Sequence, residues 1–359
     1  MSVAMLSEQL AKSGCDISVF ATTANGASEL AVKANQTVVV DGVNVTYFKR
    51  ITKDHSHLSP ALLTAVWKIV KTYDAVHIHA WWNLTSVLSC FIAIMRRVPV
   101  VVSARGTLSP YSFQNKNKAI KSLIHRLLSK PLLKRCHIHA TSQRENEAIS
   151  SIITPKSITT IPNFVKLPVY RHSVQNTVTT PLKLIFFSRI EEKKGVDLLI
   201  NALSLTKTPC HLTIAGGGSQ AYVDRLKDLA ANIGVSHEIT WAGFIHDDKF
   251  EVLQKHDLFI LPSYDENFGN AVIESLSVGT PVLISHEVGL AGYVSKNKLG
   301  WLCETNPVSI AAMIDQIAAL PFEQERVRQQ APHLIDNDFS ARHLVDIYMG
   351  LYTKISTQL

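Results

Sequence analysis

Short runs of apolar residues alternate with longer amphipathic stretches over the first half of the chain. The apolar runs are AVHIHAWW, VPVVVSA and HIHATS, and DISVFATT follows an amphipathic opening segment that ends at Gly14. Helical spacing of apolar positions predicts helices near 84–95 and 116–134. Asp41-Gly42, flanked by alternating apolar residues, predicts the turn of a β-hairpin. Strands that alternate with helices in this way predict a parallel sheet of the α/β class.

A second alternation begins after a polar stretch that contains two prolines. No apolar period is visible between Phe164 and Pro181, and we interpret this stretch as a linker. The runs LKLIFFSR, HLTIAGGG, EITWAG, LFILPS and PVLIS then follow, with helical stretches between them. A chain of 359 residues is long for one domain. We therefore predict two doubly wound parallel-sheet domains at 1–170 and 182–338, a linker at 171–181, and a final helix at 339–359 that can pack back on the N-terminal domain.

Composition places the chain among ordinary globular proteins, with 46% hydrophobic and 18% charged residues. The five cysteines are scattered, which predicts neither a metal site nor a redox pair and favours a reducing compartment, the cytoplasm. The opening segment does not have the pattern of a signal peptide. The longest weakly polar run, at 84–95, is far shorter than the roughly 20 residues that span a membrane.

The basic residues are unevenly distributed along the chain, whose net charge is +7. Between Ala75 and Arg144 there are eleven Lys or Arg residues and no Asp or Glu. Within this segment, 115–135 predicts a helix with one apolar face and with Lys116, Lys118 and Lys121 among its basic residues, ended or kinked near Ser129 by Pro131. One interpretation is an ordinary solvated domain helix. The other is a surface that docks on an anionic membrane.

Candidate chemistry follows the strands of the second domain, because ligands of doubly wound sheets bind beyond the carboxyl ends of the strands. Arg189 follows LKLIFFS, and Lys194 comes five positions later at a helix start. Both side chains suit phosphate oxygens. An alternative is a surface ion pair with Glu191 or Glu192. Three glycines, Gly216, Gly217 and Gly218, follow the next strand and permit close backbone approach to a ligand, although such turns are common.

The segment LFILPSYDENFGNAVIESLSVGTPVLIS carries the most specific signal. Glu266 lies in the loop after a strand, the residues Asn267, Phe268, Gly269 and Asn270 lead into a helix, and Glu274 lies within that helix. A helix N-terminus with a glycine presents free N–H groups and a positive dipole end to a diphosphate. Glu274 is flanked by apolar residues, and a carboxylate there requires donors, for which ribose hydroxyls are suitable. Two merely solvated acids are the alternative.

The first domain gives weaker signals. His77 and His79 share one face of the AVHIHAWW strand, beside Trp81 and Trp82. A strand histidine usually has a structural role, and a role of His79 in a sugar-binding cleft is the alternative. Arg105 and Gly106 follow VPVVVSA, while Thr141, Ser142 and Glu145 follow HIHA and Asn163 lies in TIPNF.

At these residues the sequence resembles glycosyltransferase family four, the glycogen-synthase-like retaining enzymes of the GT-B fold. The resemblance is most specific at FSRIEEKKG and ENFGNAVIESLSVGTPV. It implies two Rossmann-like domains facing a cleft, with a nucleoside diphosphate sugar as donor. It further implies that Arg189 and Lys194 bind the diphosphate and that the backbone around 267–270 contacts phosphate and sugar. Glu274 would bind the ribose, and Glu266 would lie near the transferred sugar. Residues 216–218, Gly243 and Phe244 would line the nucleotide.

The sequence departs from the family pattern at three places. Many members carry a histidine where this chain has Arg105-Gly106, a pattern similar to a branch acting on surface polysaccharides. Asn163 is followed by Phe164 where members often have Asn-Gly. Members also open with a strand and a glycine-rich loop before the first helix, and this sequence begins within the helix, which leaves the activity of a chain with this start open.

From these signals we expect a retaining hexosyltransferase that moves a sugar from a UDP- or GDP-sugar to a glycan or lipid-linked acceptor in polysaccharide or lipopolysaccharide biosynthesis. We expect catalytic roles for Glu266, Arg189, Lys194 and His79, donor contacts that include Arg105 and Asn163, and neither metal nor cofactor, since no DxD-like triad follows a strand. We expect a cytoplasmic protein, with the inner membrane face as a peripheral site. A sugar-nucleotide epimerase and a non-catalytic nucleotide-sugar-binding protein are alternatives. Nucleic-acid binding is disfavoured, because the basic stretch has few stacking aromatics.

Overall fold

The chain forms two compact units. The computed structural model describes residues 2–26, 28–108, 129–168, 180–245 and 248–357. The N-terminal unit comprises Met1–Phe164 together with Ala341–Leu359, and the C-terminal unit comprises Val165–Ser340. The polypeptide therefore leaves the N-terminal unit once and returns to it. Most of the helix expected at 116–134 and most of the linker expected at 171–181 lie outside the described residues.

Two sheets and a short ribbon form the β-structure of the N-terminal unit. A four-stranded parallel sheet has the order β6-β7-β8-β9, and a three-stranded sheet has the order β1-β5-β4, with β1 parallel and β4 antiparallel to β5. The strands are β1 (Ser18–Thr22), β2 (Ala24–Asn25), β3 (Ser28–Glu29), β4 (Thr37–Val40), β5 (Val43–Phe48), β6 (Val76–His79), β7 (Val100–Ser103), β8 (His137–Ala140) and β9 (Ser157–Thr160). The helices are α1 (Ser2–Lys12), α2 (Pro60–Ile69), α3 (Leu84–Met95), α4 (Lys130–Leu133), α5 (Gln143–Ile152) and, after the C-terminal unit, α13 (Ala341–Ser356).

The C-terminal unit is a six-stranded, all-parallel sheet with the order β12-β11-β10-β13-β14-β15. Its strands are β10 (Leu182–Phe187), β11 (Cys210–Ala215), β12 (Ile239–Gly243), β13 (Leu258–Leu261), β14 (Val282–Ser285) and β15 (Gly300–Cys303). Its helices are α6 (Val196–Leu203), α7 (Gln220–Asn232), α8 (Lys249–Gln254), α9 (Asn270–Ser277), α10 (Ala291–Lys296), α11 (Pro307–Ala318) and α12 (Pro321–Phe339). Every residue of β13 and β14 is buried, as continuous apolar runs in a covered parallel sheet require. The predicted α/β class with two parallel sheets is confirmed.

Local sequence signals account for several element boundaries. Asp41 and Gly42 both have positive φ angles, of 49° and 82°, which is the geometry of a type I′ hairpin turn between β4 and β5. Asn83 caps α3, because its side-chain oxygen accepts the N–H of Ser86 at 2.8 Å. Asn306 caps α11 in the same way, through the N–H of Ser309 at 2.8 Å. Within the described ranges, none of the helices is both long and apolar enough to cross a bilayer.

Two of the scattered cysteines come close together in the fold. Cys90 in α3 and Cys136 before β8 are both buried free thiols, and their sulfur atoms lie 3.4 Å apart. This distance is longer than the roughly 2.05 Å of a disulfide bond. The pair arises because helix and strand pack in one core, and a spacing of 46 residues in sequence gives no sign of it.

A buried chain of hydrogen bonds connects the parallel sheet of the N-terminal unit to α13. His77 bonds Tyr352 Oη at 2.7 Å through Nδ1 and Ser103 Oγ at 2.6 Å through Nε2. Ser103 Oγ in turn lies 2.6 Å from Nδ1 of His139, whose Nε2 lies 3.1 Å from Tyr348 Oη. All of these polar groups are satisfied inside the unit, as buried polar groups must be. His77 therefore has the structural role that is usual for a strand histidine.

The histidines of this network are held neutral. Burial, followed by the neighbouring His79 and His139, holds the pKa of His77 well below its ordinary range. Burial lowers the pKa of His139 to about 4, although its hydrogen bond to the Ile161 carbonyl opposes the shift. An unfolded histidine binds a proton near pH 6.5. At pH values between the lowered pKa of the folded protein and 6.5, the unfolded chain therefore binds protons that the folded protein does not bind.

We predict that the free energy of unfolding falls as the pH drops from 7 to 5, because protons bind the unfolded state preferentially. Each such histidine contributes a slope that approaches about 1.4 kcal/mol per pH unit. Replacing His139 by Gln removes one contribution, so the variant, although less stable at pH 7, should show a shallower dependence. Urea titrations at pH 7, 6 and 5 measure it. His237→Gln, at a side chain that is 77% exposed, is the matched control. An unchanged slope in His139→Gln would contradict the assignment.

Candidate active site

Four loops of the C-terminal unit gather the predicted residues at one edge of its sheet. Parallel strands place their carboxyl ends at the same edge. The loop after β10 carries Arg189 and Lys194, and the loop after its neighbour β13 carries Glu266. The loop after β11 carries the glycines 216–218, and Gly243, the last residue of β12, is followed by Phe244. The sequence prediction that these segments share an edge agrees with this topology.

Lys194 and Glu266 form an ion pair that is largely removed from solvent. The lysine side chain is 5% exposed and the glutamate side chain 19% exposed, with Nζ bonded to Oε2. Two backbone contacts join the loops that carry them: Tyr264 N–H donates to the Lys193 carbonyl at 2.9 Å, and a Cβ at Gly195 would lie 2.2 Å from the Pro262 carbonyl oxygen. Gly195, with φ of 69°, therefore lets the two loops approach closely enough for the pair to form.

The glycines after β11 are required mainly by packing within the protein. A Cβ at Gly216 would lie 1.8 Å from the Ser188 carbonyl oxygen, and a Cβ at Gly218 would lie 2.4 Å from that of Ile190. These contacts hold the loop of β11 against the loop of β10. A Cβ at Gly217 would meet no atom within 4 Å, so this residue has open space beside it. The sequence suggested that all three glycines permit close approach of a ligand. The geometry shows that Gly216 and Gly218 are also required for packing within the protein.

Helix α9 begins directly after a glycine with a positive φ angle. Gly269 has φ of 97°, a region that side-chain-bearing residues rarely adopt, and it precedes Asn270, the first helical residue. Phe268 is buried and packs edge-on against Phe339 with ring centroids 6.4 Å apart. The backbone of Glu266 is fixed by Gly289, whose N–H donates to its carbonyl at 2.8 Å. The helix N-terminus is thereby anchored at the sheet edge.

Glu274 lies one turn into α9 and is paired with a lysine from α8. Its Oε1 accepts from Lys249 Nζ at 2.6 Å, and the side chains are 13% and 18% exposed, respectively. Burial raises the pKa of the Glu274 carboxyl, and the charge and hydrogen bond of Lys249 oppose that shift. The predicted requirement of this carboxylate for donors is thus met in part by the protein itself.

Two predicted contacts stay open to solvent. The Arg189 side chain is 69% exposed and its Nη1 lies 2.5 Å from Glu191 Oε1, which is the surface ion pair that the sequence left as an alternative. Phe244 is 78% exposed, an unusual fraction for so large an apolar side chain. Gly243 accepts the Gly216 N–H at 2.7 Å, which ties the loops of β11 and β12 together.

In the N-terminal unit, three predicted residues meet at the carboxyl ends of β6, β7 and β9. Arg105 Nη1 donates to Asn163 Oδ1 at 2.8 Å, and its Nε donates to His79 Nδ1 at 3.4 Å. Arg105 has φ of 51°, a left-handed conformation that a non-glycine residue adopts only when its surroundings enforce it. Such outliers concentrate at functional sites, so the departure from the family histidine at this position coincides with local strain.

His79 is neutral in this setting. Burial, and then the charge of Arg105, lowers the pKa of His79 to about 3. The ring stacks on His77 with centroids 4.2 Å apart, as expected for two residues on one face of a strand. Trp81 is fully buried in the core, and Trp82 Nε1 donates to the Thr107 carbonyl at 2.5 Å, so this pair has packing roles.

Sequence reasoning missed the roles of two residues, one in each unit. Glu145, in α5, is buried and accepts hydrogen bonds from Gly106 N–H, Thr141 N–H and Thr141 Oγ1 at 2.7, 2.7 and 2.8 Å. The spacing of Ser142 and Glu145, typical of a capping box, was the available signal. Lys249 gave no comparable signal, because its partner lies 25 positions away. In the described ranges, no group of three or more His, Cys, Asp or Glu residues is arranged to hold a metal ion.

Comparison with protein families matches both halves of the chain. Residues 1–167 match the model of Glycosyltransferase Family 4, and residues 171–334 match that of Glycosyl transferases group 1.

An uncharacterized glycosyltransferase, MJ1607 of Methanocaldococcus jannaschii, is 27% identical over 302 residues, which cover 77% of this chain and 76% of that protein. A glycogen synthase of Mycobacterium tuberculosis is 27% identical, over 74% of this chain and 65% of the relative. The lipopolysaccharide core biosynthesis glycosyltransferase LpsE of Rhizobium meliloti is 27% identical, over 57% and 60%. The chain thus spans less than two thirds of the latter two relatives.

Solved structures share the fold over nearly the whole chain. Sucrose-phosphate synthase from Thermosynechococcus elongatus superposes with a TM-score of 0.76 and 17% identity, covering 99% of this chain and 93% of that one. Anabaena HepE, solved in complex with UDP-glucose, superposes with a TM-score of 0.73 and 20% identity, covering 100% and 96%. Together with the two family matches and the two parallel sheets, these similarities show that the chain belongs to the family 4 glycosyltransferases of the GT-B fold.

Proposed function

We propose that this glycosyltransferase takes a hexosyl group from a nucleoside diphosphate sugar, with UDP- or GDP-sugars favoured, and transfers it with retention of anomeric configuration. One observation carries the proposal. Glu266 and Glu274 lie before and within the first turns of α9, and each is bonded to a lysine that is mostly shielded from water. At this sheet edge the carboxylates offer acceptors for sugar hydroxyls, and the lysines and the backbone N–H groups of the helix N-terminus offer donors for phosphate oxygens.

The donor is distributed over these groups as follows. Glu274 accepts hydrogen bonds from the ribose hydroxyls, and Glu266 lies near the transferred sugar. The diphosphate lies against the N-terminus of α9, with Lys194 and Arg189 supplying positive charge. Gly217, with open space beside it, and the exposed Phe244 line the nucleotide. The complexes of HepE with UDP and with UDP-glucose support a donor of this class.

The chemical step requires stabilisation of the departing diphosphate. As the bond between the anomeric carbon and the phosphate oxygen breaks, negative charge develops on the diphosphate, and preorganised cations and N–H dipoles stabilise it. The acceptor hydroxyl oxygen forms its bond to the anomeric carbon on the same face, and its proton passes to the departing phosphate oxygen. Since Lys194, Arg189 and the helix supply the positive charge, the proposal includes neither a metal ion nor a cofactor.

We assign His79, Arg105 and Asn163 of the N-terminal unit to substrate contacts. A neutral His79 whose Nδ1 accepts from Arg105 carries its proton on Nε2, which can donate to a hydroxyl. The acceptor we propose is a glycan or a lipid-linked sugar of polysaccharide or lipopolysaccharide biosynthesis at the cytoplasmic face of the membrane. The similarity to LpsE supports this class of acceptor.

We predict that Glu274→Gln weakens donor binding at least about tenfold, because hydrogen bonds to a charged group contribute roughly 1.5–3 kcal/mol. Thermal shifts with UDP-, GDP-, ADP- and CMP-sugars first identify the donor that the wild type binds. Calorimetry with that donor then compares Glu274→Gln with Glu304→Gln, whose glutamate side chain is 70% exposed. Equal affinity of both variants would remove Glu274 from the site. Release of an altered sugar without any acceptor would instead favour an epimerase.

We predict that Arg189→Ala lowers kcat/KM about tenfold or more while leaving the melting temperature nearly unchanged. The side chain is exposed, so its surface ion pair contributes little to stability, whereas its charge acts on the departing diphosphate. Arg225→Ala is the matched control, because Arg225 is 66% exposed and pairs with Glu192 on the same unit. Steady-state kinetics with the identified donor provide the measurement. A wild-type kcat/KM in Arg189→Ala would exclude the proposed role.

We predict peripheral binding to anionic membranes through the basic segment 115–135, most of which lies outside the described residues. Each Lys or Arg near an anionic surface contributes about 1 kcal/mol, so several together give reversible binding. Changing Lys116, Lys118 and Lys121 to Glu should abolish sedimentation with vesicles that contain phosphatidylglycerol. The same charge change at Lys255, Lys296 and Lys298 of the C-terminal unit is the control. Binding that is equal on neutral vesicles, or absent on both, would refute the prediction.

A further inference from the structure

Lys249 occupies a position that neither the sequence motifs nor the proposed donor contacts explain. It is the first residue of α8, which packs against α9, and its Nζ reaches 2.6 Å from Glu274 Oε1. Its side chain is only 18% exposed, and Nζ also lies 4.8 Å from the centroid of the Phe250 ring. A lysine that spans two helices with little freedom loses side-chain entropy, and a compensating interaction must hold it there.

The contact is made through one oxygen of the carboxylate. In the part of the chain that the structure describes, Lys249 is the residue that donates to Glu274, and it does so at Oε1. An ionised carboxylate can accept at both oxygens. The pairing therefore fixes the rotation of the carboxylate group and leaves the acceptor capacity of Oε2 for a ligand.

The charge of Lys249 is the principal compensation for burying Glu274. Burial alone raises the pKa of the carboxyl, and Lys249 is the residue whose charge and hydrogen bond lower it. The other charged side chains on the helices that pack on α9 have different partners. Arg328 of α12 bonds Asp257, with Nη2 3.3 Å from Oδ1, and Lys255 at the end of α8 pairs with Glu251 at the surface. Removing the Lys249 charge leaves burial unopposed.

We propose that Lys249 is a positioning residue for the donor, which holds Oε1 of Glu274 and keeps the carboxylate ionised so that Oε2 accepts from the hydroxyls of the donor ribose. The inference rests on the proposed function and adds a residue to it. Protonated, Glu274 would carry a hydrogen on one oxygen and lose its strongest acceptor, which is the form that Lys249 disfavours.

The test is the pH dependence of donor affinity in Lys249→Met. Calorimetry with UDP-glucose and, in parallel, GDP-glucose at pH 6, 7 and 8 suits it, because these diphosphates do not titrate in this range. The wild type should bind with nearly constant affinity. Lys249→Met should bind at least tenfold more weakly at pH 6, and part of the loss should be recovered at pH 8 as Glu274 ionises. Lys249→Arg should restore most of the affinity, and Lys255→Met, on the same helix, should behave as the wild type.

A double variant keeps the test informative if Lys249→Met folds poorly. Lys249→Met/Glu274→Gln replaces the ion pair by two neutral side chains of similar size. If Lys249 acts through Glu274, the double variant should bind the donor as weakly as Glu274→Gln alone, with no further loss. A further loss would overturn the inference, as would a constant affinity ratio between Lys249→Met and the wild type at all three pH values. Absence of binding by the wild type to every UDP-, GDP-, ADP- and CMP-sugar of the thermal-shift series would instead refute the proposed function.

Discussion

Two carboxylates are withdrawn from water at the carboxyl edge of the C-terminal sheet, and the arrangement of that edge depends on how their charge is compensated. Burying an isolated carboxylate is so unfavourable that it either binds a proton or acquires a cation. Here Glu266 acquires Lys194 and Glu274 acquires Lys249. Each lysine comes from a different loop or helix than its glutamate. The two ion pairs therefore cross-link the segments that surround the helix N-terminus, and Gly195 permits the close backbone approach beside the first of them.

In the N-terminal unit, buried histidines are stabilised by hydrogen bonds to hydroxyl groups. His77, Ser103 and His139 share hydrogen bonds in a buried chain, and both rings stay neutral because the site disfavours charge. The strained Arg105 then supplies positive charge at the end of the neighbouring strands. One unit thus offers compensated carboxylates and the other a guanidinium supported by neutral groups.

The sequence predicted much of the fold because its signals are local. Buried parallel strands are continuous apolar runs, and α3 and α7 have the periodicity of amphipathic helices with recognisable ends. The edge that carries Glu266 and Glu274 followed from the same logic, since loops after parallel strands share one edge. What escaped prediction depends on contacts between distant positions. The approach of Cys90 to Cys136, the steric need for Gly216 and Gly218, and the pairing of Lys249 with Glu274 all require knowledge of which elements pack together. Arg189 shows the converse case, where a local alternative, the ion pair with Glu191, is what the structure contains.

The discontinuous N-terminal unit has a consequence for the order in which the protein is built. Residues 165–340 are contiguous and can fold as one body while they emerge from the ribosome. The N-terminal unit is synthesised first, but His77 and His139 find Tyr352 and Tyr348 only when α13 arrives, 275 and 209 positions later. Until then the apolar surface that α13 covers, which includes Val101, Ile161 and Phe164, is exposed. The N-terminal unit is therefore synthesised first but completed last. A nascent chain stalled before residue 341 would contain a folded C-terminal unit and an incomplete N-terminal unit, whose exposed apolar surface chaperones can recognise.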